Sequence, residues 1–127
     1  MWSAPLLVAT DVCELSDEKR AILMNKEVLA IHQDTLFTAA ERLKRAADGT
    51  QVWTRPLANG DQAVVLFNAN NDTALSVGFT WEEIGVAADK PMALRDLWNQ
   101  KDLGTFTQSF SALVGVNDVL MIRTQAV

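Results

Sequence analysis

Between Leu75 and Trp81, apolar and polar positions alternate without a break: Leu75, Val77, Phe79 and Trp81 interleave with Ala74, Ser76, Gly78 and Thr80. A period of two predicts a strand with one buried face and one wet face. Upstream, Gln51–Leu57 and Gln62–Asn68 are two β-rich runs joined by Ala58-Asn59-Gly60-Asp61. Asn-Gly between such runs predicts a hairpin on a type I′ turn, which needs two positive φ angles in succession. Pro56, near the end of the first run, suits an edge strand that can spare an amide donor. Ala63–Phe67 is apolar without alternation, as in a central strand covered on both faces.

The remaining pattern continues in the same manner. A loop is expected from Glu82 to Lys90, and Pro91 leads into Met92–Trp98. Phe106 and Phe110, four apart, fall on one face of an extended strand from Leu103 to Val114. Asp118–Thr124 closes the chain. Five or six short strands at regular spacing predict a small antiparallel sandwich.

The N-terminal part reads differently. Residues 4 to 9 (APLLVA) form a continuous apolar run, expected to be a strand buried on both faces. Ser16 is a good N-cap, with Asp17 and Glu18 in the first helical turn. Leu15, Ile22 and Leu29 recur at a spacing of seven, and Asn25 is placed to end or bend the helix. The first 33 residues therefore read as one β-α unit, which needs neighbouring strands that the sequence does not supply. Fraying, docking onto the sandwich or self-association through residues 1–33 follows as an expectation. Residues 38–48 carry a capping-box pattern, Thr38 with Glu41, and Gly49 as a stop, so local propensity alone predicts a helix there.

Composition narrows the function classes. The 127 residues are 49% hydrophobic and 21% charged, an ordinary folded composition. A net charge of −5 with no basic stripe argues against nucleic-acid binding. No apolar run approaches the roughly 18 residues of a membrane span. The start, MWSAPLLVA, lacks the basic region of a signal peptide. The single cysteine, Cys13, excludes an intrachain disulfide and a Cys-based zinc site.

Candidate chemistry is sparse. Glu82-Glu83 is read as a solvated loop, because neighbours in a turn rarely face each other across a cleft as glycosidase carboxylates do. His32, the sole histidine, is read as a packed or surface side chain, with no sensible triad or metal partners. Cys13 is read as a small buried hydrophobe. Trp53, Trp81 and Trp98 could line a sugar platform but suit a core better. Asn71-Asp72-Thr73 is an acceptor pattern for N-glycosylation on Asn71. The residues nominate no catalytic group, no cofactor and no metal ligand.

The order of segments resembles the C-terminal third of the α-galactosidase (melibiase) family of retaining glycoside hydrolases, which also includes α-N-acetylgalactosaminidases. APLLVATDV is similar to that family's eighth barrel strand and the loop after it. LSDEKRAILMNKEVLAIHQD is similar to its last helix and exit segment. The family exit I-N-Q-D-P-L appears here as Ile31-His32-Gln33-Asp34-Thr35-Leu36, so His32 and Thr35 depart from it. QVWTRPL, QAVVLFN, FTWEEIGV and LRDLW follow in family order. No single motif decides; their order does.

The resemblance implies a mainly β fold: a C-terminal antiparallel β-sandwich over 35–127, preceded at 1–34 by one β-α unit left over from a (β/α)8 barrel. It implies that the complete enzyme hydrolyses terminal α-linked galactose through two aspartates on earlier barrel strands, neither of which maps onto this sequence. The chain alone is then expected to be inactive, with an α-galactoside as partner only of the complete enzyme. Residues 40–45 align with the family's first sandwich strand, which we follow over the helical propensity. If Pro5–Ala9 is a barrel strand, Asp11 sits at its C-terminal end, a candidate substrate-binding position; the alternative is that it tethers the loop before Ser16. Complete family members are often secreted, lysosomal or vacuolar. The other reading of the whole is a free-standing, non-catalytic sandwich that binds sugar or a partner protein.

Overall fold

The hairpin forms where the sequence places it, with a different turn. In the computed structural model, which describes residues 4–127, β2 (Thr50–Pro56) pairs antiparallel with β3 (Gln62–Asn68), from Thr50 opposite Asn68 to Pro56 opposite Gln62. The Leu57 N–H donates to the Asp61 carbonyl at 2.9 Å and the Gly60 N–H to the Leu57 carbonyl at 3.0 Å. Gly60 has φ of +88°, whereas Asn59 is not among the residues of positive φ. This is the three-residue loop, a turn closed by a left-handed glycine, and not the type I′ turn. Asn59 instead braces the loop from its side chain, donating from Nδ2 to Asp61 Oδ2 at 2.8 Å and accepting from the Asp61 N–H.

β1 (Glu41–Arg45) runs beside β2, so β2 is not an edge strand. Pro56 is tolerated because pairing with β1 stops at Thr54, opposite Glu41. Strand therefore wins over the helical propensity of 38–48: Glu41, Arg42, Lys44 and Arg45 gain ladder partners in β2, and Thr38 donates its hydroxyl to the Leu36 carbonyl. The register shifts between Arg42 and Lys44, and the edge carries Glu41, Arg42, Lys44 and Arg45. A bulge and a row of charges discourage further strand addition.

β4 (Leu75–Thr80) keeps its predicted alternation, with Val77, Phe79 and the following Trp81 buried. A short 3-10 turn, Glu82–Ile84, interrupts the next loop before β5 (Met92–Asp96). The expected single strand from Leu103 to Val114 is two: β6 (Lys101–Phe106) and β7 (Ser109–Val114). The chain changes sheet at Thr107-Gln108, with Gln108 at φ of 69°, so Phe106 and Phe110 belong to different sheets and meet edge-on at 5.0 Å. β8 (Asp118–Ala126) inserts between β3 and β5.

The result is a six-stranded sheet in the order β1-β2-β3-β8-β5-β6, faced by the pair β4-β7, with antiparallel pairing throughout. Val52, Val64, Leu66, Leu94 and Ile122 from the large sheet meet Val77, Phe79, Val114 and Trp81. The Trp81 indole donates to the Lys90 carbonyl at 2.9 Å, so its burial leaves no orphan donor. β4 and β7 approach so closely at Gly78 that a Cβ there would lie 2.7 Å from the Phe110 carbonyl oxygen. Asn68, fully buried in β3, donates its amide to the carbonyls of Thr73, Val114 and Gly115 at 2.9, 3.1 and 2.9 Å and so fastens the two sheets together.

Two short helices precede the sandwich: α1 (Asp17–Leu23), capped by Ser16, and α2 (Lys26–His32), capped by Asn25. Asn25 breaks the helical run as expected. The strand expected over residues 4–9 does not form; these residues have no regular secondary structure and are exposed. A continuous apolar run becomes a strand only when neighbours supply a ladder, and no strand of the sandwich pairs with it. Residues 1–3 of the segment read as 1–34 lie outside the described residues. No helix among the described residues is long and apolar enough to cross a membrane.

Candidate functional site

Alternation in the central strands gives the large sheet two buried faces. Val64 and Leu66 point inward, while Ala63 and Val65 point away from the sandwich, beside Arg55 of β2, Leu57 just after it, and Met121 of β8. α2 covers part of this outer face, with Ile31 and Val28 packed on Leu57, Ala63, Val65, Leu97 and Met121.

Polar contacts fix the helix at both ends. Asn25 Oδ1 accepts from the N–H groups of Glu27 and Val28, and its Nδ2 donates to the Leu97 carbonyl at 2.9 Å. At the exit, the Asp34 carboxylate accepts from the N–H of Ala58 at 3.0 and 3.1 Å and from that of Leu36 at 3.0 Å. Along the flank, Arg95 grips Glu27 with Nε and Nη2 at 2.7 and 2.6 Å and reaches Asp102 with Nη1 at 2.8 Å. The Arg95 hydrogen bonds hold the Glu27 carboxyl below its ordinary value, against the opposing effect of burial, and the same pairing raises Arg95.

Beside α2 the outer face opens into a cleft of about 380 Å³. Val28, Ile31 and His32 form one wall, Val65, Val119 and Met121 the floor, and Trp98 with Ala4, Pro5 and Leu6 the other side. Arg55 also lines it, yet is 0% exposed. None of its three guanidinium nitrogens has a hydrogen-bond partner among the described residues. Two other arginines of this face are paired with carboxylates: Arg95 as above, and Arg123 with Asp61 through Nε at 2.7 Å and Nη2 at 2.6 Å. A buried cation without a counter-charge costs several kcal/mol, so Arg55 is the polar feature that most needs explaining. A second, smaller concavity of about 320 Å³ lies over β5, β6 and β8, and its charged groups Arg95, Asp102 and Arg123 are all engaged.

The residues singled out from the sequence scatter. Asp11 is exposed and accepts from the Cys13 N–H at 2.9 Å, away from the cleft lining. Cys13 is itself exposed and not a buried hydrophobe, because the segment before it forms no strand and packs under no other element. Asn71 lies exposed in the loop after β3 and accepts from Asn117 Nδ2 at 2.9 Å. Glu82 and Glu83 are exposed. Glu83 completes a cap, taking the Thr80 N–H at 2.7 Å and Lys44 Nζ at 2.7 Å. Burial alone would push the Glu83 carboxyl up, but these bonds outweigh it and hold the carboxyl low. Trp81 is core; Trp53 is half-buried under the Arg42 guanidinium, 5.5 Å from its ring centroid. Only His32 and Trp98 reach the cleft. Arg55, Asp34 and Asn68 were missed, and Asn25 was read only as a helix breaker; Asn25, Asp34 and Asn68 act through partners remote in sequence, and Arg55 is set apart only by its burial in the assembled sheet. A basic residue inside the Trp53–Leu57 apolar stretch was the one local sign.

Residues 47–124 match the model for the alpha galactosidase C-terminal beta sandwich domain. The chain belongs to that family. It is 37% identical over 116 residues to the probable alpha-galactosidase of Dictyostelium discoideum, covering 88% of this chain and 30% of that protein. Alpha-galactosidase I from Mortierella vinacea superposes with a TM-score of 0.90 at 33% identity, covering 97% of this chain and 32% of that one. A GH27 β-L-arabinopyranosidase from Geobacillus stearothermophilus superposes with a TM-score of 0.81 at 27% identity, over 90% of this chain and 25% of that one. The chain thus spans about a third or less of the length of these relatives. The fold expected from the resemblance, a mainly β C-terminal antiparallel sandwich, is the one observed.

Proposed function

We propose that this chain is the C-terminal part of an α-galactosidase-like glycoside hydrolase, supplying the β-sandwich and the helix that leads into it, while catalysis resides elsewhere in the complete enzyme. The likeness to the Mortierella vinacea enzyme, over 97% of the chain, carries this reading. Retaining hydrolysis needs two carboxyl groups about 5 to 5.5 Å apart. The outer cleft has no carboxylate in its lining, and the second concavity has only Asp102, bound to Arg95. Sandwiches of this fold occur in enzymes named for different sugars, which supports assigning sugar choice to the remainder of the enzyme.

The test is a pair of assays on an aryl α-galactoside. The chain alone should give no turnover. Joined behind the remainder of the Mortierella vinacea enzyme, in place of that enzyme's own matching region, it should support turnover. Activity of the chain alone, abolished by changing one of its own acidic residues, would refute the reading. For Asp11, the hydrogen bond from Cys13 supports a loop tether in preference to substrate contact.

A further inference from the structure

We propose that Arg55 is a docking residue: its guanidinium receives a carboxylate side chain from the larger domain that the relatives carry beyond the matched region. The inference rests on the reading above and names the chemistry of that contact. The guanidinium is fully buried at the base of the outer cleft and has no hydrogen-bond partner among the described residues. A planar fork of donors calls for a carboxylate, which it can bind through two parallel bonds. On the same face of the sheet, Arg95 shows that geometry with Glu27, and Arg123 brings Nε and Nη2 onto a single oxygen, Oδ2, of Asp61. Arg55 is left without the equivalent.

The surroundings set how the partner arrives. Val65, Val119 and Met121 make an apolar floor, so an incoming segment buries hydrophobic surface around the ion pair and excludes water from it. Among the described residues, the cleft lining contains no Asp or Glu that could turn towards Arg55. The superposed Mortierella vinacea protein has more than half its length outside the matched region, enough to cover this face. A free sugar fits less well, because a neutral hydroxyl does not neutralise a buried cation.

Two measurements on the intact chain test this, with sodium acetate as the probe. Acetate should raise the melting temperature by roughly 3 to 6 °C over sodium chloride at equal ionic strength, and Arg55→Met should remove that increment. Arg55→Met should also melt above the parent in chloride, since it replaces an unpaired buried charge by an apolar side chain. Independently of any variant, the Arg55 Nε–H resonance should shift saturably with acetate and not with chloride. In the active fusion with the Mortierella vinacea enzyme the sign reverses: Arg55→Met should lower the melting temperature by several degrees. Equal responses to acetate and chloride in both measurements overturn the proposal. So does an active fusion indifferent to Arg55→Met. An inactive fusion with an intact acetate response would instead count against the α-galactosidase reading and leave the anion site standing.

Discussion

The two faces of the six-stranded sheet are built from the same strands and finished to different degrees. Inward, Val52, Val64, Leu66, Leu94 and Ile122 meet the β4-β7 pair, and the polar groups buried there, the Trp81 indole and the Asn68 amide, are all bonded. Outward, one short helix covers a few apolar residues, ion pairs line its flank, and Arg55 lies buried without a counter-charge. A face whose polar groups are satisfied needs nothing more. One with an unpaired buried cation and an open apolar cleft is shaped for a further surface.

If that contrast is right, damage to the inner face should be costly in any setting. Trp81→Ala should lose about 3 to 5 kcal/mol, read by urea unfolding, because a fully buried indole leaves a cavity the surrounding sheets cannot close. A loss under about 1 kcal/mol would mean the inner core is loose. Asn68→Ala comes next, at about 2 to 3 kcal/mol, since it strips a buried donor from the carbonyls of Thr73, Val114 and Gly115. Outside, Ile31→Ala should cost about 2 kcal/mol, the low end for such a change, because its site borders an open cleft that can relax. An Ile31 effect as large as that of Trp81 would erase the distinction between the faces.

The smallest effect sharpens the comparison through pH. Arg95 holds the Glu27 carboxyl below its ordinary value of 4.5, so the folded form binds this proton less readily than the unfolded chain. Stability from the pair is therefore complete above the ordinary value and is lost as pH falls through the folded value. Glu27→Gln should lower stability by about 1 kcal/mol or less at neutral pH, and the gap to the parent should close in acid. A gap that widened in acid would show that Glu27 is not the group the pairing favours as a carboxylate.

Legibility in the sequence followed the range of the forces involved. The alternation of Leu75–Trp81 and the apolar run Ala63–Phe67 are local patterns, and both strands form as read. Asn59-Gly60 marked a hairpin correctly but not its turn, because the choice between two- and three-residue loops depends on how Leu57 and Asp61 pair across it. Residues 38–48 look helical in isolation and become strand because β2 offers a ladder. Residues 4–9 fail for the reverse reason: an apolar run without neighbours has nothing to pair with. The cleft itself was almost invisible, since Arg55, Val65, Val119 and Trp98 converge only after the sheet assembles.

A further domain that completes the outer face should leave the inner face unchanged. Hydrogen exchange compares them directly, in the chain alone and in the active fusion with the Mortierella vinacea enzyme. In the chain alone, the amides of Leu29 and Gln33 in and after α2, and that of Ala58 bonded to Asp34, should exchange faster than those along β3-β8. In the fusion, the α2 and Ala58 amides should slow by tenfold or more, about 1.4 kcal/mol of added local stability, with β4-β7 unchanged. Slowing centred on β4-β7, or no change at Leu29, Gln33 and Ala58, would contradict the account.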